Sequence, residues 1–163
     1  MANFKPFSGI VKSISNLLTN DINKLGCNKI ISVEGRDESI VNFIVTPSTY
    51  FVDHVTVKVG DRVTGFYDLN APVPLIYPPQ LTALVMAKDN NFQSVKVDRF
   101  NNRLISSDNQ LKLNIAPSTQ ILLENNQSFN QRLENRNLIV VYSAATKSIP
   151  AQTTPEKIIV MCR

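Results

Sequence analysis

Polar and apolar side chains alternate with a period of two along much of the chain, the pattern of strands with one face on a core. The clearest case is 62–68, where Val63, Gly65 and Tyr67 lie on one side and Arg62, Thr64, Phe66 and Asp68 on the other. Gly60-Asp61 opens this strand as a turn, and Gly65, with no side chain to pack, predicts a bulge or a sharp corner within it. Upstream, 7–14 (FSGIVKSI) reads as a first strand with a glycine kink, and 29–34 and 39–45 read as a hairpin turned by Gly35-Arg36-Asp37-Glu38. Between them Leu17, Leu18, Ile22 and Leu25 have helical spacing among turn-forming residues, so 15–24 is either a short helix or a wide loop. Pro47-Ser48-Thr49 predicts either entry into a single helical turn capped by Ser48 or a plain turn. The stretch 55–59 (VTVKV) either prolongs that connection or pairs as an edge strand.

After Asp68 the alternation stops. Pro72, Pro74, Pro78 and Pro79 bracket the apolar residues Val73, Leu75, Ile76 and Tyr77. Proline has no amide donor and a fixed φ, so 70–80 predicts an extended, polyproline-like arm rather than a helix or central strand. The arm leads into a strand at 81–87 (LTALVMA).

A similar order follows the polar spacer 88–91. Strands are expected at 92–100, from Leu104, at 111–115, at 120–124 and within 133–143, and a closing strand at 156–161 (EKIIVM). IVTPSTYFVD at 44–53 compares with NIAPSTQILLE at 114–124, and VGDRVTGFYD at 59–68 with LENRNLIVVYS at 133–143. In the second comparison Arg62 matches Arg136, Gly65 matches Ile139, and Tyr67 matches Tyr142 after one inserted residue. The arm at 70–80 compares with SIPAQTTP at 148–155. Three features in the same order, 70 to 75 residues apart, predict an internal duplication with domains 1–88 and 89–163.

Each half thus reads as strand, hairpin of two strands, capped turn, strand, proline arm, strand. That order, with the glycine-kinked first strand and GDRVTGFYD, resembles the OB-fold, a five-stranded, partly open Greek-key barrel. The resemblance implies an all-β chain of two tandem OB-like barrels with at most short helices. It also implies a face on which aromatics stack bases beside cations for phosphates, for which the candidates are Lys12, Phe43, Arg62, Phe66, Lys96, Arg99, Phe100 and Arg103.

Composition narrows the function classes. With 43% hydrophobic and 18% charged residues, the chain is that of a folded globular protein. The net charge of +4 is divided as eight basic and seven acidic residues in 1–88, and nine and six in 89–163, with no continuous basic stripe. His54 is the only histidine, and there is no glycine-rich phosphate loop or serine-nucleophile context, so no enzyme, cofactor or metal site is expected. Cys27 and Cys162 are expected as reduced, buried thiols of a cytoplasmic protein. The preferred reading is a non-catalytic module for protein contacts, with a partner protein or a second copy bound by Leu75, Ile76 and Tyr77. The same arm could instead fold back and plug its own barrel. Single-stranded nucleic-acid binding is the alternative function.

Overall fold

The computed structural model describes all 163 residues and is all-β, with helical turns only at Ile22–Lys24 and Val52–His54. It divides into two compact units, Met1–Asp89 and Asn90–Arg163.

In unit 1, β1 (Phe4–Asn16) is shared between two neighbours. Its first half, Phe4 to Ile10, pairs antiparallel with β5 (Arg62–Asp68), and its second half, from Ile10 on, pairs with β2 (Lys29–Glu34). The changeover carries a bulge at Lys12, where the register shifts between Val11 and Ser13. Gly9 lies just before it, because an added Cβ would sit 2.1 Å from the carbonyl oxygen of Glu34. Then β2 pairs with β3 (Ile40–Val45), and β3 pairs in parallel with β6 (Gln80–Thr82). On the other side β5 pairs antiparallel with β7 (Val85–Lys88), which pairs in parallel with β4 (Tyr50–Phe51). Only Ala83 and Leu84 separate β6 from β7, although the two pair at opposite ends of the β5–β1–β2–β3 order. The expected single strand at 81–87 is therefore two short ones. The chain leaves the β3 ladder for the β5 ladder within those two residues.

Thr49 pins this switch. Its buried hydroxyl accepts from the amide of Thr46 (3.0 Å) and donates to the carbonyl of Ala83 (2.7 Å), while Leu84 bonds outward through both its backbone groups, to Phe66 and Tyr50. Ser48, the expected cap, is exposed, and the helical turn that follows has Phe51 at its N-terminus with no side-chain cap. The stretch 55–59 forms no strand.

Unit 2 repeats the β1–β5, β5–β7, β4–β7 and β3–β6 pairings in ladders of equal or greater length, but not the β1–β2 and β2–β3 ladders. Here β8 (Ser94–Phe100) pairs with β11 (Arg136–Tyr142), which pairs antiparallel with β13 (Lys157–Met161). In parallel ladders, β13 pairs with β10 (Gln120–Leu123) and β9 (Leu111–Leu113) with β12 (Ala151–Thr153). The strand expected from Leu104 survives only as the antiparallel bridges Phe100↔Ser106 and Ile105↔Lys112. Turn residues, including Leu104 and Asn109 at positive φ, leave it too little extended chain for a ladder. Thr119 does what Thr49 does: its hydroxyl accepts from Ala116 N (3.4 Å) and donates to Pro155 O (2.8 Å), at the link between β12 and β13.

The two cores differ by a compensating exchange. Unit 1 packs Val11, Ile31, Val33, Phe43, Val63 and Met86 among others, and a Cβ on Gly65 would lie 2.5 Å from the Phe43 ring. The ladders on both sides of Gly65 run without a bulge, so this glycine makes room for a ring and does not bend the strand. Matching Phe66 O and Val141 O, each an acceptor from the link residue, sets Val140 rather than Ile139 at the place of Gly65, and Asn137 at that of Arg62. The parallel ladders likewise match Phe43 to Leu113. The smaller Leu113 accompanies the larger Val140, and both belong to the second core.

Two stability predictions follow from this packing. Gly65→Val is expected to cost about 2–3 kcal/mol through overpacking, and Gly65→Val with Phe43→Leu less than the single change, read from urea midpoints. Thr49→Val and Thr119→Val should each cost about 1–3 kcal/mol, because they strand a buried carbonyl, whereas Ser48→Ala should stay within about 0.5 kcal/mol.

Candidate functional site

The arm between β5 and β6 stands on a polar base. Asp68 anchors it: its Oδ1 accepts from the amides of Asn3 (2.9 Å) and Asn70 (3.0 Å), and its carbonyl accepts from Ala71 N (3.1 Å). Leu69 N donates to Asn3 O (2.8 Å), and the Asn70 side-chain amide donates to Met1 O (3.0 Å). At the far end Pro79 O accepts from Asn42 N (2.9 Å). Between these anchors the four prolines have no donor to place in a ladder, and the backbone runs irregular. The Tyr77-Pro78 peptide is cis.

The side chains of the arm point to solvent. Relative exposure is 101% for Leu75, 51% for Ile76 and 79% for Tyr77, so the arm does not plug its own unit. The corresponding connection in unit 2 is built differently. Thr146 and Ser148 share a hydroxyl–hydroxyl bond (2.7 Å), Ser148 Oγ donates to Pro150 O (2.8 Å), and Thr146 Oγ1 accepts from Gln152 N (2.9 Å). Its one large apolar side chain, Ile149, is exposed. One connection is closed by its own polar bonds; the other presents an apolar run.

The residues expected to contact nucleic acid are divided between the two units. Lys12, Arg62 and Phe66 belong to unit 1, and Lys96, Arg99, Phe100 and Arg103 to unit 2. Phe66, Phe100 and Phe43 are buried, so no ring among them offers a π-face to a base, a correction to their expected role. Phe43 packs in the core of unit 1, Phe66 lies mid-strand in β5, and Phe100, the last residue of β8, packs in the core of unit 2. Lys12 occupies the β1 bulge and pairs with Glu34 (3.6 Å), and Lys96 bonds Asp108. Arg62 and Arg103 are exposed, Arg99 is half-buried, and the Lys112 ammonium donates to Arg103 O (3.3 Å). By unit, 1–89 holds eight basic and eight acidic residues and 90–163 nine and five, which places the whole surplus of four in unit 2.

His54, at positive φ, meets the Tyr50 ring edge-on with centroids 5.8 Å apart. No group of three or more His, Cys, Asp or Glu side chains is gathered where it could hold a metal ion. Cys27 and Cys162 are both exposed, not buried, because each lies outside the strands, in a loop and in the C-terminal tail. No helix is long and apolar enough to cross a membrane.

One apolar patch was not evident as such from the sequence. Leu18, Ile22 and Leu25 lie in the stretch that reads as either a short helix or a wide loop; it is a wide loop between β1 and β2, and they are 94%, 78% and 58% exposed in it. That loop makes only one short helical turn, capped by the Asp21 side chain on Asn23 N, too short to lay a stripe onto the core. No protein family, curated protein or solved structure matches the chain.

The polar cluster around Asp108 yields a pH dependence. Burial raises its carboxyl pKa, but bonds from Lys96, from the Ser106 hydroxyl (2.6 Å) and from Gln110 N (3.1 Å) outweigh it and hold the carboxyl below its ordinary 3.8. Around that pH the folded chain therefore binds fewer protons than the unfolded one, and the stabilisation is complete above 3.8 and lost as pH falls through the lower folded value. The stability gap between wild type and Asp108→Asn should accordingly be constant well above 3.8 and shrink below it in acid-dependent urea titrations.

Proposed function

We propose that the protein is a non-catalytic binding or assembly module, built of two OB-like, partly open barrels from an internal duplication, whose contact with a partner protein is made by Leu75, Ile76 and Tyr77. It acts in the cytoplasm, where exposed thiols such as those of Cys27 and Cys162 stay reduced. The barrel reading is supported by the pairing order β1–β2–β3–β6, continued through Ala83-Leu84 into β7–β5 and back to β1. In unit 2 the pairings equivalent to β3–β6, β7–β5 and β5–β1 recur as ladders, and those equivalent to β1–β2 and β2–β3 as single bridges. The functional reading rests on a single observation: three large apolar side chains in succession stand in solvent on an arm bonded at both ends. Leaving them exposed forgoes burial worth roughly 1.5–3 kcal/mol for each, and the proline-restricted backbone loses little freedom when a partner covers them. Tyrosine at the end of the run is a residue type favoured at the centre of interfaces.

Single-stranded nucleic-acid binding is the second reading, favoured by the charge surplus of unit 2 and opposed by the burial of Phe66 and Phe100. Solution mass by light scattering separates the two. Ile76→Ala with Tyr77→Ala is expected to leave the urea midpoint within about 0.5 kcal/mol of wild type and to lower the associated mass, with no response to a mixed oligonucleotide pool. An unchanged mass in the double variant removes the arm from the interface. A mass increase with oligonucleotide that fades as salt rises transfers the assignment to nucleic acid.

A further inference from the structure

We propose that one end of unit 2, where Arg99, Arg103, Lys112 and Arg136 stand without carboxylate partners, is a second contact surface and takes an acidic segment of a partner protein. The inference rests on reading the chain as a protein-contact module and does not depend on the arm.

The pairing register gathers these cations from distant stretches of sequence. Arg99 pairs with Asn137 and Phe100 with Arg136, so the two arginines stand at the same end of β8 and β11. Beyond β8 the chain turns back. Asn101 N bonds Ile105 O (3.0 Å), Ile105 pairs with Lys112, and the Lys112 ammonium returns to Arg103 O (3.3 Å). On the other flank Asn137 pairs with Met161, which leads to Arg163. Arg132 joins them, because its carbonyl accepts from Arg136 Nε (2.6 Å). All five arginines of unit 2 are therefore at this end. From Lys112 across the returning stretch, β8 and β11 to the Arg163 tail is about 19 Å along the sheet at about 4.8 Å per strand, the length of about six extended residues.

The carboxylates of unit 2 are engaged elsewhere. Asp98 is buried and accepts from the Ser107 hydroxyl (2.6 Å), Asp108 holds Lys96, and Glu156 accepts from the Ser143 hydroxyl. Glu124 pairs with Arg163 (3.0 Å) and Glu134 with Arg132 (3.5 Å). Arg103 is exposed, and Arg99, Lys112 and Arg136 are half-buried. Their charges add to one local field that draws in a segment of opposite sign. The Arg136 guanidinium is already placed, 4.8 Å from the centroid of the Phe129 ring, and an ordered group loses less entropy on binding. Arginine suits a carboxylate partner because its planar fork makes two parallel bonds to one. Nucleic acid fits less well, since bases stack on uncovered rings. Here Phe100 is buried and Phe129 lies under Arg136.

The test is fluorescence anisotropy of a labelled peptide of about six glutamates, a length matched to the surface, titrated with the full chain at low and at physiological salt. An oligothymidylate of equal charge is titrated beside it. The peptide is expected to bind, and less tightly as salt rises. Arg99→Gln with Arg103→Gln should weaken it about tenfold, with an unchanged urea midpoint. Lys24→Gln with Arg36→Gln takes the same charge from unit 1 and should change it by less than about twofold. Ile76→Ala with Tyr77→Ala should leave peptide binding as it is, so failure of the arm reading is seen in the solution mass and not here. A peptide that does not bind overturns the inference and leaves the arm reading standing. Equal weakening by the unit 1 pair overturns it too, because net charge and not this end of unit 2 then accounts for binding. Tighter binding of the oligothymidylate, lost in the arginine variant, makes the surface one for phosphates and overturns the acidic segment as its occupant.

Discussion

The closing strand of each unit has to satisfy two ladders that run on different sides of it, and the rest of the structure depends on how that is done. In unit 1 the chain follows β3 in parallel, then turns within Ala83-Leu84 to run against β5. A segment that changes partners leaves backbone groups between ladders, and buried groups of that kind must be bonded. The Thr49 hydroxyl supplies the missing partner for Ala83, and Thr119 does the same for Pro155. Threonine suits the position because its hydroxyl accepts and donates at once while its methyl packs with the core. The recurring Pro-Ser-Thr is thus a structural lock, and the residue that does the work is its third.

The second constraint is steric. A long first strand wraps from one neighbour to the other, and its backbone passes so close to Glu34 that only glycine fits at position 9. Across the core, the Phe43 ring occupies the space a side chain at 65 would take. Unit 2 reaches the same filling with Leu113 and Val140. Interiors packed like crystals tolerate such exchanges only in pairs, so the two units keep one pairing scheme with few identical residues.

Against these bonded frames the two connections into the closing strands diverge. In unit 2 hydroxyls from Thr146, Ser148 and Thr153 bond backbone nearby, and the connection is polar and self-contained. In unit 1 prolines stand where such donors would be, and Leu75, Ile76 and Tyr77 are held away from the core by anchors at Asp68 and Pro79. A side chain held outward by its backbone cannot collapse inward to find cover. Cover has to come from outside the unit, which is the physical ground for reading the arm as a contact surface.

Much of the strand layout was legible from alternation alone. The strand at Lys29–Glu34 and the one at Arg62–Asp68 coincide with their patterns, because period-two burial is a local property of the chain. The proline stretch forms neither helix nor strand but runs through turns and bends. The sites were less legible. Phe66 alternates with the charged residues Arg62 and Asp68 yet is buried, and Leu18, Ile22 and Leu25 have helical spacing yet stand exposed in a loop. Whether a side chain is covered depends on what packs over it from distant parts of the chain. By itself the sequence determined where the chain extends, where it turns and where proline denies it a ladder. Tertiary structure alone decided which glycine yields to a ring, which hydroxyl closes the strand switch and which apolar side chains are left to solvent, since each of these is a contact between residues dozens of positions apart.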